Sequence, residues 1–481
     1  MKLSECLAGI EYTGQIDEDL TIRAIAYDSR KVTPDSLFVA IEGHRTDGHA
    51  YVAQAREKGA VAFVVAKDIP LDAPRIKVQN PREALSVIAR NFYGAPSEKL
   101  KIMGVTGTNG KTSITHIARD LLSRMGYPSG LIGTIHNLVG DRELPASVTT
   151  PESLELQALF EKMIHQGIDY CVMEVSSHAL SLSRVDHVDF NVGVFSNLTQ
   201  DHLDYHKDMA SYFDAKKKLF TLVEHMVVNL DCPYGRRLLE AVDKQHLTYG
   251  VAHQGDLWAT QINYTPEGTE FTLNYRGGTY GVRTPYLGEI YVSNFLGALG
   301  GLLGLGFSID RLLAATGGLR PVRGRLERVL NPLGAMILVD YAHTPDALKN
   351  LLQIGRSLTK KRLICVFGCG GDRDKGKRPR MGAIAQELAD LTIITSDNPR
   401  SEDPRAILKD ILQGMPPEAK NRQLEVDRRQ AIEMALTVAA PGDAVIIAGK
   451  GHETYQILGE TVIHFSDVEV VEEFFERMNR L

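Results

Sequence analysis

A glycine-rich segment in the first third of the chain restricts the possible folds more than any other feature. It reads GVTGTNGKT, from Gly104 to Thr112. Its first three residues end an apolar run, residues 101–106, and an amphipathic pattern, residues 113–126, follows it. Glycines allow backbone N–H groups to converge on phosphate oxygens, and a helix N-terminus adds positive potential. In such a loop Lys111 would reach the terminal phosphates and the Thr112 hydroxyl would face Mg²⁺. The segment therefore predicts nucleotide binding, and a glycine-rich turn without a ligand is the simpler alternative.

Short apolar runs recur along the chain and end in polar or glycine-rich residues. They lie at 36–41, 60–65, 101–106, 169–175, 190–195, 335–340, 362–368, 391–397 and 443–449. Runs of this length are typical of buried strands, and helical patterns such as residues 345–358 lie between them. Alternating strands and helices predict an α/β fold with mainly parallel sheets, which bind ligands beyond the carboxyl ends of their strands.

The length of the chain and two polar segments predict three domains. A chain of 481 residues is about three times as long as a domain of about 150 residues. Proline-containing segments at 94–101 and 329–335 suggest boundaries, so we predict domains at 1–98, 99–331 and 332–481. Residues 256–283 are rich in Thr, Tyr and Gly and predict a small antiparallel excursion.

Composition excludes several classes of protein. A net charge of −6 argues against a general binder of nucleic acid or anionic membranes. The most membrane-like segment, residues 295–307, includes five glycines and is too short to span roughly 30 Å, so we expect a buried helix. No signal peptide is expected, and five scattered cysteines predict a reducing compartment, the cytoplasm. Cys365 and Cys369 lack a second pair of ligands, so zinc is not expected there.

Three further residues are candidate partners for a bound nucleotide: Glu174, His202 and Lys216. Glu174 ends an apolar run near the glycine-rich loop, and Mg²⁺ prefers oxygen ligands, although a salt bridge would explain this residue equally well. His202 and His206 have the spacing of zinc-protease helices, but Leu203 stands where such enzymes need Glu. The basic run around Lys216 has a solvated surface as its simpler explanation.

Twelve motifs in one order resemble the Mur ligases, in particular those that add the third residue of the peptide. The resemblance extends over nearly the whole chain. The motifs are DSR (28–30), GVTGTNGKT (104–112), TTPES (149–153), MEVSSH (173–178), NLTQDHLDYH (197–206), the lysine after FDA (216), YVSNFLGAL (291–299), GRLE (324–327), VDYAHTPDAL (339–348), FGCGGDRDKGKRP (367–379), SDNPR (396–400) and AGKGHETYQ (448–456).

The resemblance implies an N-terminal UDP-binding domain, a central P-loop ATPase and a C-terminal Rossmann-like domain that receives an amino acid. The implied UDP-precursor contacts are Tyr27, Ser29, His44, Arg45, Thr46, Thr149, Thr150, Ser176 and Arg184. The implied ATP contacts are Gly107, Thr108, Asn109, Gly110, Lys111, Thr112, Ser113, Asn294 and Arg325. The implied catalytic residues are Lys111, Glu174, His202, Lys216, Arg325, Asp340 and His343.

The resemblance also implies the cofactors. Two Mg²⁺ ions would be held by Thr112, Glu174, His202 and Lys216, with Lys216 converted by CO₂ to a carbamate. That modification would turn a cation into an oxygen ligand. ATP is the implied cosubstrate, and we expect a monomer that acts on small molecules, without nucleic acid and without membrane insertion.

The resemblance further implies that the amino acid is meso-diaminopimelate, joined to a UDP-linked muramoyl-dipeptide. DNPR, residues 397–400, resembles the family's diaminopimelate signature, and the implied contacts are Arg373, Asp397, Asn398, Pro399, Arg400, Gly449 and Glu453. Arginine suits a distal carboxylate because its planar fork donates two parallel hydrogen bonds. An Asx-Pro turn is the alternative explanation for DNPR.

Two other functions remain as alternatives. A folylpolyglutamate synthetase shares the ligase architecture but lacks the N-terminal UDP domain and DNPR. A P-loop switch or scaffold would bind nucleotide without needing an amino-acid pocket.

Overall fold

The computed structural model describes residues 1–43, 46–69, 73–265 and 267–479. Three sheets of four, eleven and six strands follow one another along the chain, and a two-stranded hairpin lies near the C-terminus. The three-domain α/β architecture expected from the sequence is therefore confirmed. The boundaries at 98/99 and 331/332 remain predictions.

The first sheet is parallel throughout and has the order β1-β2-β3-β4. Its strands are β1 Ala24–Ala26, β2 Ser36–Val39, β3 Ala60–Val65 and β4 Arg75–Lys77. Its helices are α1 Leu3–Cys6, α2 Val52–Glu57 and α3 Pro81–Phe92. Leu37 packs in the cluster on one face of the sheet and Phe38 in the cluster on the other, as the two-residue repeat of a strand requires.

The second sheet carries the glycine-rich loop and has the order β15-β14-β13-β12-β11-β10-β5-β9-β6-β7-β8. Its strands are β5 Lys101–Thr106, β6 Ser129–Ile132, β7 His136–Val139, β8 Arg142–Pro145, β9 Tyr170–Glu174, β10 Phe190–Phe195, β11 Val223–Asn229, β12 His246–Gly250, β13 Leu257–Thr265, β14 Gly268–Tyr275 and β15 Gly278–Thr284. The neighbouring strands β13, β12, β11, β10, β5, β9 and β6 pair in parallel. Antiparallel pairings extend the sheet through β14 and β15 at one edge and through β7 and β8 at the other. The excursion expected at 256–283 is confirmed as β13 to β15.

The helices of the second domain cover both faces of this sheet. They are α4 Lys111–Arg124, α5 Ser153–His165, α6 Ser177–Ser181, α7 Leu203–His206, α8 Met209–Lys217, α9 Leu219–Leu222, α10 Pro233–Ala241, α11 Glu289–Gly304 and α12 Ile309–Ala314.

Helix α11 contains the apolar, glycine-rich segment and lies buried against the sheet. A Cβ at Gly301 would lie 2.4 Å from Met103 Cε, and a Cβ at Gly304 would lie 2.9 Å from Val192 Cγ2. The glycines therefore allow the helix backbone to approach β5 and β10, and the predicted buried helix is confirmed. Within the described ranges, no helix is both long enough and apolar enough to cross a membrane.

The third sheet has the order β16-β17-β21-β18-β19-β20, in which only β16 is antiparallel. Its strands are β16 Glu327–Val329, β17 Met336–Asp340, β18 Leu363–Phe367, β19 Leu391–Ile394, β20 Arg422–Leu424 and β21 Ala444–Ala448, and the hairpin is β22 Tyr455–Leu458 with β23 Thr461–His464. Its helices are α13 Pro345–Leu358, α14 Lys377–Leu388, α15 Pro404–Leu412, α16 Arg428–Val438 and α17 Asp467–Asn479. All five cysteines of the chain are buried and free.

A fully buried ion pair joins the loops at the carboxyl ends of this sheet. Arg428 and Asp467 both have side chains with 0% exposure, and Arg428 Nη2 lies 2.7 Å from Asp467 Oδ2. The same guanidinium donates to the backbone oxygens of Ser396 at 3.3 Å and Ala448 at 3.0 Å. It therefore holds the ends of β19 and β21, where the candidate amino-acid site begins, against α17.

We expect Arg428→Met to lower the free energy of unfolding of the third domain by about 3–5 kcal/mol, because Asp467 would stay buried without its partner. Arg429→Met is the matched control. It removes a pair with Glu473 whose side chains are 41% and 51% exposed, and should change stability by less than about 1 kcal/mol. Urea denaturation followed by circular dichroism measures both effects, and equal losses would contradict the structural role of Arg428.

Candidate active site

The glycine-rich segment forms a loop between β5 and α4, as the sequence predicts. Gly107 has φ +151° and Gly110 has φ +90°. A Cβ at Gly107 would lie 1.9 Å from Ser196 Oγ, and a Cβ at Gly110 would lie 2.5 Å from Asn294 Oδ1. Both positions therefore require glycine for backbone conformation and for space.

Two lysines donate to one carbonyl of this loop. Lys111 Nζ lies 2.9 Å from Gly107 O, and Lys216 Nζ lies 2.8 Å from the same oxygen. Lys216 is 1% exposed, and its Nζ also lies 4.7 Å from the centre of the uncharged Tyr212 ring. Burial, and then the charge of Lys111, lower the pKa of Lys216 well below its usual value. The simpler explanation, a solvated basic surface, does not hold for Lys216, which is buried against the glycine-rich loop.

Glu174 ends β9 and is fixed by hydroxyl and amide groups. The Thr112 hydroxyl donates to Glu174 Oε2 at 3.0 Å, and the Thr134 N–H donates to Oε1 at 2.8 Å. The Thr134 hydroxyl lies 3.1 Å from that of Thr149. Arg325 Nη2 donates to the Thr112 hydroxyl at 3.1 Å. Glu174 is 1% exposed. The hydroxyl and N–H groups that donate to its carboxylate hold it in place by hydrogen bonds rather than by a salt bridge.

His202 lies beside this group at the start of α7, in a left-handed conformation with φ +53°. Burial lowers the pKa of His202 to about 4. The negative charge of Asp201, whose carboxylate lies 3.5 Å from His202 Nε2, acts in the opposite direction and raises this pKa. His206 is separate from the cleft, because its Nε2 lies 2.9 Å from Ser177 Oγ in a buried position. Among the described residues, no three side chains of His, Cys, Asp or Glu converge as a metal site.

The third domain supplies the opposite wall. The Asp340 carboxylate accepts backbone N–H groups of Leu326 at 2.7 Å and Ala342 at 2.8 Å, and burial raises its pKa. The Arg325 guanidinium lies 4.7 Å over the Tyr341 ring. His343 Nδ1 lies 3.0 Å from Tyr341 O, and the residue lines the cleft.

One cleft collects most of the predicted nucleotide and catalytic residues. Those lining it are Thr108, Asn109, Gly110, Lys111, Thr112, Ser113, Glu174, His202, Asn294, Arg325, Asp340 and His343, together with Thr149. The sequence analysis missed Thr134, Asp201, Tyr291, Tyr341, Asn350 and Ile354, which also line it. Asp201 could have been predicted from the sequence, since it lies beside His202 in a polar segment after a strand. No comparable pattern in the sequence marks Thr134 as a site residue.

The predicted muramoyl-dipeptide residues lie next to Glu174. The Thr150 hydroxyl donates to Glu174 O at 2.9 Å and accepts the Ser176 N–H at 3.1 Å. Arg184 Nη1 donates to Thr150 O at 2.9 Å. Glu152 lies 3.0 Å from Arg184 Nη2 and 3.1 Å from Nη1 of Arg82, which belongs to the first domain. One carboxylate thus links the first and second domains at this position.

The predicted UDP residues lie in the first domain and are less closely grouped. The Tyr27 hydroxyl donates to Glu155 Oε1 at 2.8 Å, and the buried Ser29 hydroxyl donates to Gln54 Oε1 at 2.7 Å. Thr46 is exposed, and its carbonyl accepts the Gly43 N–H at 2.9 Å. His44 and Arg45 lie outside the described residues.

The predicted amino-acid residues lie on three loops at the carboxyl ends of β18, β19 and β21. Asn398 Nδ2 donates to Glu453 Oε2 at 2.9 Å, and a Cβ at Gly449 would lie 3.7 Å from Asp397 Oδ2. Arg400 has φ +52°, and its Nη1 donates to Gly371 O at 2.8 Å. Gly371 allows two of the loops to approach each other closely, because a Cβ at this position would lie 1.9 Å from Pro399 O.

Arg373 is the outlying member of this group. Its side chain is exposed, and its Nη1 donates to the carbonyl of the neighbouring Asp372 at 2.9 Å. The three loops together carry two acids, an amide and two arginines. Such a set can bind a ligand that carries both an ammonium and a carboxylate.

Comparison with known proteins places this architecture in a family. The Mur ligase middle domain matches residues 105–302, the glutamate ligase domain of Mur ligases matches 324–451, and the Mur ligase family catalytic domain matches 21–93. A P-loop α/β domain between two further α/β domains, with a cleft shared by two of them, is the architecture of an ATP-dependent ligase. The chain belongs to the Mur ligase family.

Full-length relatives are similar over the whole sequence. UDP-N-acetylmuramoyl-L-alanyl-D-glutamate–2,6-diaminopimelate ligase 1 of Clostridium acetobutylicum is 46% identical, over 99% of this chain and 100% of the relative. The ligase of the same name from Bacillus licheniformis is 43% identical over 98% of each chain. A solved structure of a ligase of that name has a TM-score of 0.71 and 32% identity, covering 100% of this chain and 99% of the other.

A folylpolyglutamate synthase of Mycobacterium tuberculosis complexed with ADP shares the fold, with a TM-score of 0.64 and 19% identity. It covers 77% of this chain and 92% of the other.

The loop geometry predicts a specific effect of Gly110→Ala. We expect the Kd for ATP to rise at least about tenfold, because the new Cβ would displace Asn294 and distort the loop. Gly126→Ala is the control, since Gly126 lies past the other end of α4 with φ +84° and has open space around its Cβ position. Isothermal titration calorimetry measures both affinities. Equal affinities in the two variants would show that Gly110 does not shape the nucleotide site.

Proposed function

We propose that this chain joins 2,6-diaminopimelate, in its meso form, to UDP-N-acetylmuramoyl-L-alanyl-D-glutamate with cleavage of ATP to ADP and phosphate. The proposal rests on the position of Arg400, Asn398 and Glu453. These residues lie on adjoining loops of the third domain, which also lines the P-loop cleft. A guanidinium and a carboxylate match the carboxylate and ammonium at the distal end of diaminopimelate. The full-length similarity to ligases with this activity supports the same substrate.

The first chemical step is the phosphorylation of the precursor carboxylate. A carboxylate oxygen attacks the terminal phosphorus of ATP, the bond to the bridging oxygen breaks, and ADP leaves. Lys111, Arg325 and the N-terminus of α4 stabilise the negative charge on the transferred group. To reach the phosphate, Lys111 exchanges its two loop carbonyls, Gly107 O and Thr108 O, for phosphate oxygens.

The second step is amide formation. The uncharged amino group of diaminopimelate attacks the acyl phosphate carbon, and the tetrahedral oxyanion collapses to the amide and releases phosphate, which takes up the proton that the nitrogen loses. The acyl phosphate must be protected from water, and the wall formed by Asp340, Tyr341 and His343 supplies that protection. In this proposal Thr149, Thr150, Ser176 and Arg184 hold the muramoyl-dipeptide, while Tyr27, Ser29 and Thr46 contact the UDP end.

The side chains around Glu174 fit Mg²⁺. The Thr112 hydroxyl and the Glu174 carboxylate lie 3.0 Å apart and offer the oxygen ligands that Mg²⁺ prefers. His202 and a carbamate on Lys216 would hold a second ion. When bound, the metal ions neutralise phosphate charge.

Lys216 is suited to carbamate formation because burial favours its uncharged amine. The amine nitrogen bonds to the carbon of CO₂ and loses a proton, which gives an N-carboxylate with one negative charge. In the unmodified protein this buried amine contacts the Gly107 carbonyl and the Tyr212 ring.

Both alternative functions are less consistent with the chain. Similarity to a folylpolyglutamate synthase leaves nearly a quarter of the chain unmatched, whereas the named ligases match 98–99% of it. A nucleotide switch needs no amino-acid site, so it leaves the polar side chains on the three loops of the third domain without a role.

Product mass tests the proposed function. Purified protein is incubated with ATP and UDP-muramoyl-dipeptide, and separate reactions receive meso-diaminopimelate, L-lysine or L-glutamate. We expect the diaminopimelate adduct and equimolar ADP. A lysine or glutamate adduct in its place would reject the proposed substrate, and ADP release without any adduct would favour the nucleotide switch.

We expect Lys216→Ala to lower kcat at least about 100-fold and to be partly rescued by formate or acetate, which restore oxygen ligands. Lys217→Ala is the neighbouring control, because the Lys217 side chain is half-buried and pairs with Asp214 at 2.9 Å. Carbon-13 NMR after addition of labelled bicarbonate should show one carbamate signal, absent from Lys216→Ala. An active wild-type enzyme without that signal would reject the carbamate.

We expect Arg400→Ala to raise the KM for diaminopimelate at least about tenfold, since a charge-assisted bidentate contact contributes about 1.5–3 kcal/mol. The KM values for ATP and the UDP-precursor should change less than about twofold, because their sites are formed by other loops. Arg405→Ala, at an exposed position of α15, is the control. Wild-type kinetics for diaminopimelate in Arg400→Ala would leave DNPR as a turn without a recognition role.

A further inference from the structure

Lys450, which follows β21, is a buried cation inside the candidate amino-acid site. Its side chain is 0% exposed, and its Nζ lies 3.0 Å from Glu453 Oε2 and 3.7 Å from Asp397 Oδ1. Its other neighbours are the Asn398 side-chain oxygen at 3.2 Å and the Tyr455 ring, whose centre lies 5.5 Å away. A buried ammonium is stable only where such partners compensate its charge.

Lys450 also determines how Asn398 is oriented. Asn398 Oδ1 accepts the Lys450 ammonium and, at 3.0 Å, the Ile457 N–H, while its Nδ2 donates to Glu453 Oε2 at 2.9 Å. Each half of the amide therefore has partners that it would lose if the amide were reversed. The ammonium holds Asn398 and Glu453 in one arrangement.

The charged side chains that surround Asn398 balance only when Lys450 is counted, since the exposed Arg373 side chain contacts the Asp372 carbonyl and is not one of them. Asp397 and Glu453 contribute two negative charges, and Arg400, whose Nη1 lies 3.4 Å from Asn398 O, contributes one positive charge. Arg428 is close to both acids, but it is already paired with Asp467. With Lys450 the group is neutral, which suits a ligand end that carries both an ammonium and a carboxylate. Without Lys450 the group carries one excess negative charge, which suits an ammonium alone.

We infer that Lys450 is a specificity-determining positioning residue, which favours an amino acid with a distal ammonium and carboxylate over one with a distal ammonium only. It acts by compensating one carboxylate and by fixing Asn398 and Glu453. The inference rests on the proposed function, since it concerns the choice between diaminopimelate and lysine at that site.

A competition experiment tests this role independently of how much enzyme is folded. Wild type and Lys450→Met receive equal concentrations of meso-diaminopimelate and L-lysine with ATP and the UDP-precursor, and the two adducts are quantified by mass spectrometry. The adduct ratio reports relative kcat/KM, so partial unfolding leaves it unchanged. We expect the ratio of diaminopimelate to lysine adduct to fall at least about tenfold in Lys450→Met, because the excess negative charge repels the distal carboxylate.

Two further variants complete the test. Lys450→Arg keeps the charge and should stay within about threefold of the wild-type ratio. Arg362→Met removes an ion pair with Asp443, 2.7 Å long, at the opposite ends of β18 and β21, and should leave the ratio unchanged. An unchanged ratio in Lys450→Met, a collapsed ratio in Lys450→Arg, or a folded Lys450→Met that forms neither adduct would each overturn the inference. A wild-type enzyme that forms no diaminopimelate adduct would instead reject the proposed function itself.

Discussion

The close approach of Gly107 to Ser196 determines where the other parts of the active site can lie. Because β5 and β10 are adjacent and parallel, the loop that follows each strand emerges at the same edge of the sheet. The glycine allows the two loops to touch, so that the chain after β10 carries His202 to the P-loop and α8 carries Lys216 under it. Any side chain at this position would separate the phosphate loop from these two residues.

The third domain uses the same principle for a different ligand. Its parallel strands bring three loops to one edge, and two buried cations hold those loops together. Arg428 binds backbone oxygens at the ends of β19 and β21, and Lys450 orients the polar side chains between them. Arg428 thus supports the loops and is fully paired with Asp467, whereas the buried Lys450 orients Asn398 and Glu453, which belong to the candidate amino-acid site.

Local patterns in the sequence were sufficient for much of the fold and of the site. Helix α13 spans residues 345–358 as predicted, and the phosphate loop, the buried glycine helix and the antiparallel excursion are all present. The strands β7 and β8 were missed, since they are short and half polar. Thr134 and Lys450 were missed because their roles depend on side chains from distant segments. The burial of Lys216 was implied only by resemblance, since a basic run has the same composition on a surface.

The cleft is lined by α4 from one domain and by the end of β17 from another. A nucleotide that binds there contacts both, so part of its binding free energy is also the free energy that holds the two domains together. Linkage makes this relation reciprocal: whatever stabilises the contact between the domains tightens nucleotide binding by the same factor. An amino acid held on the loops of the third domain can therefore change the affinity for ATP without touching the phosphate loop.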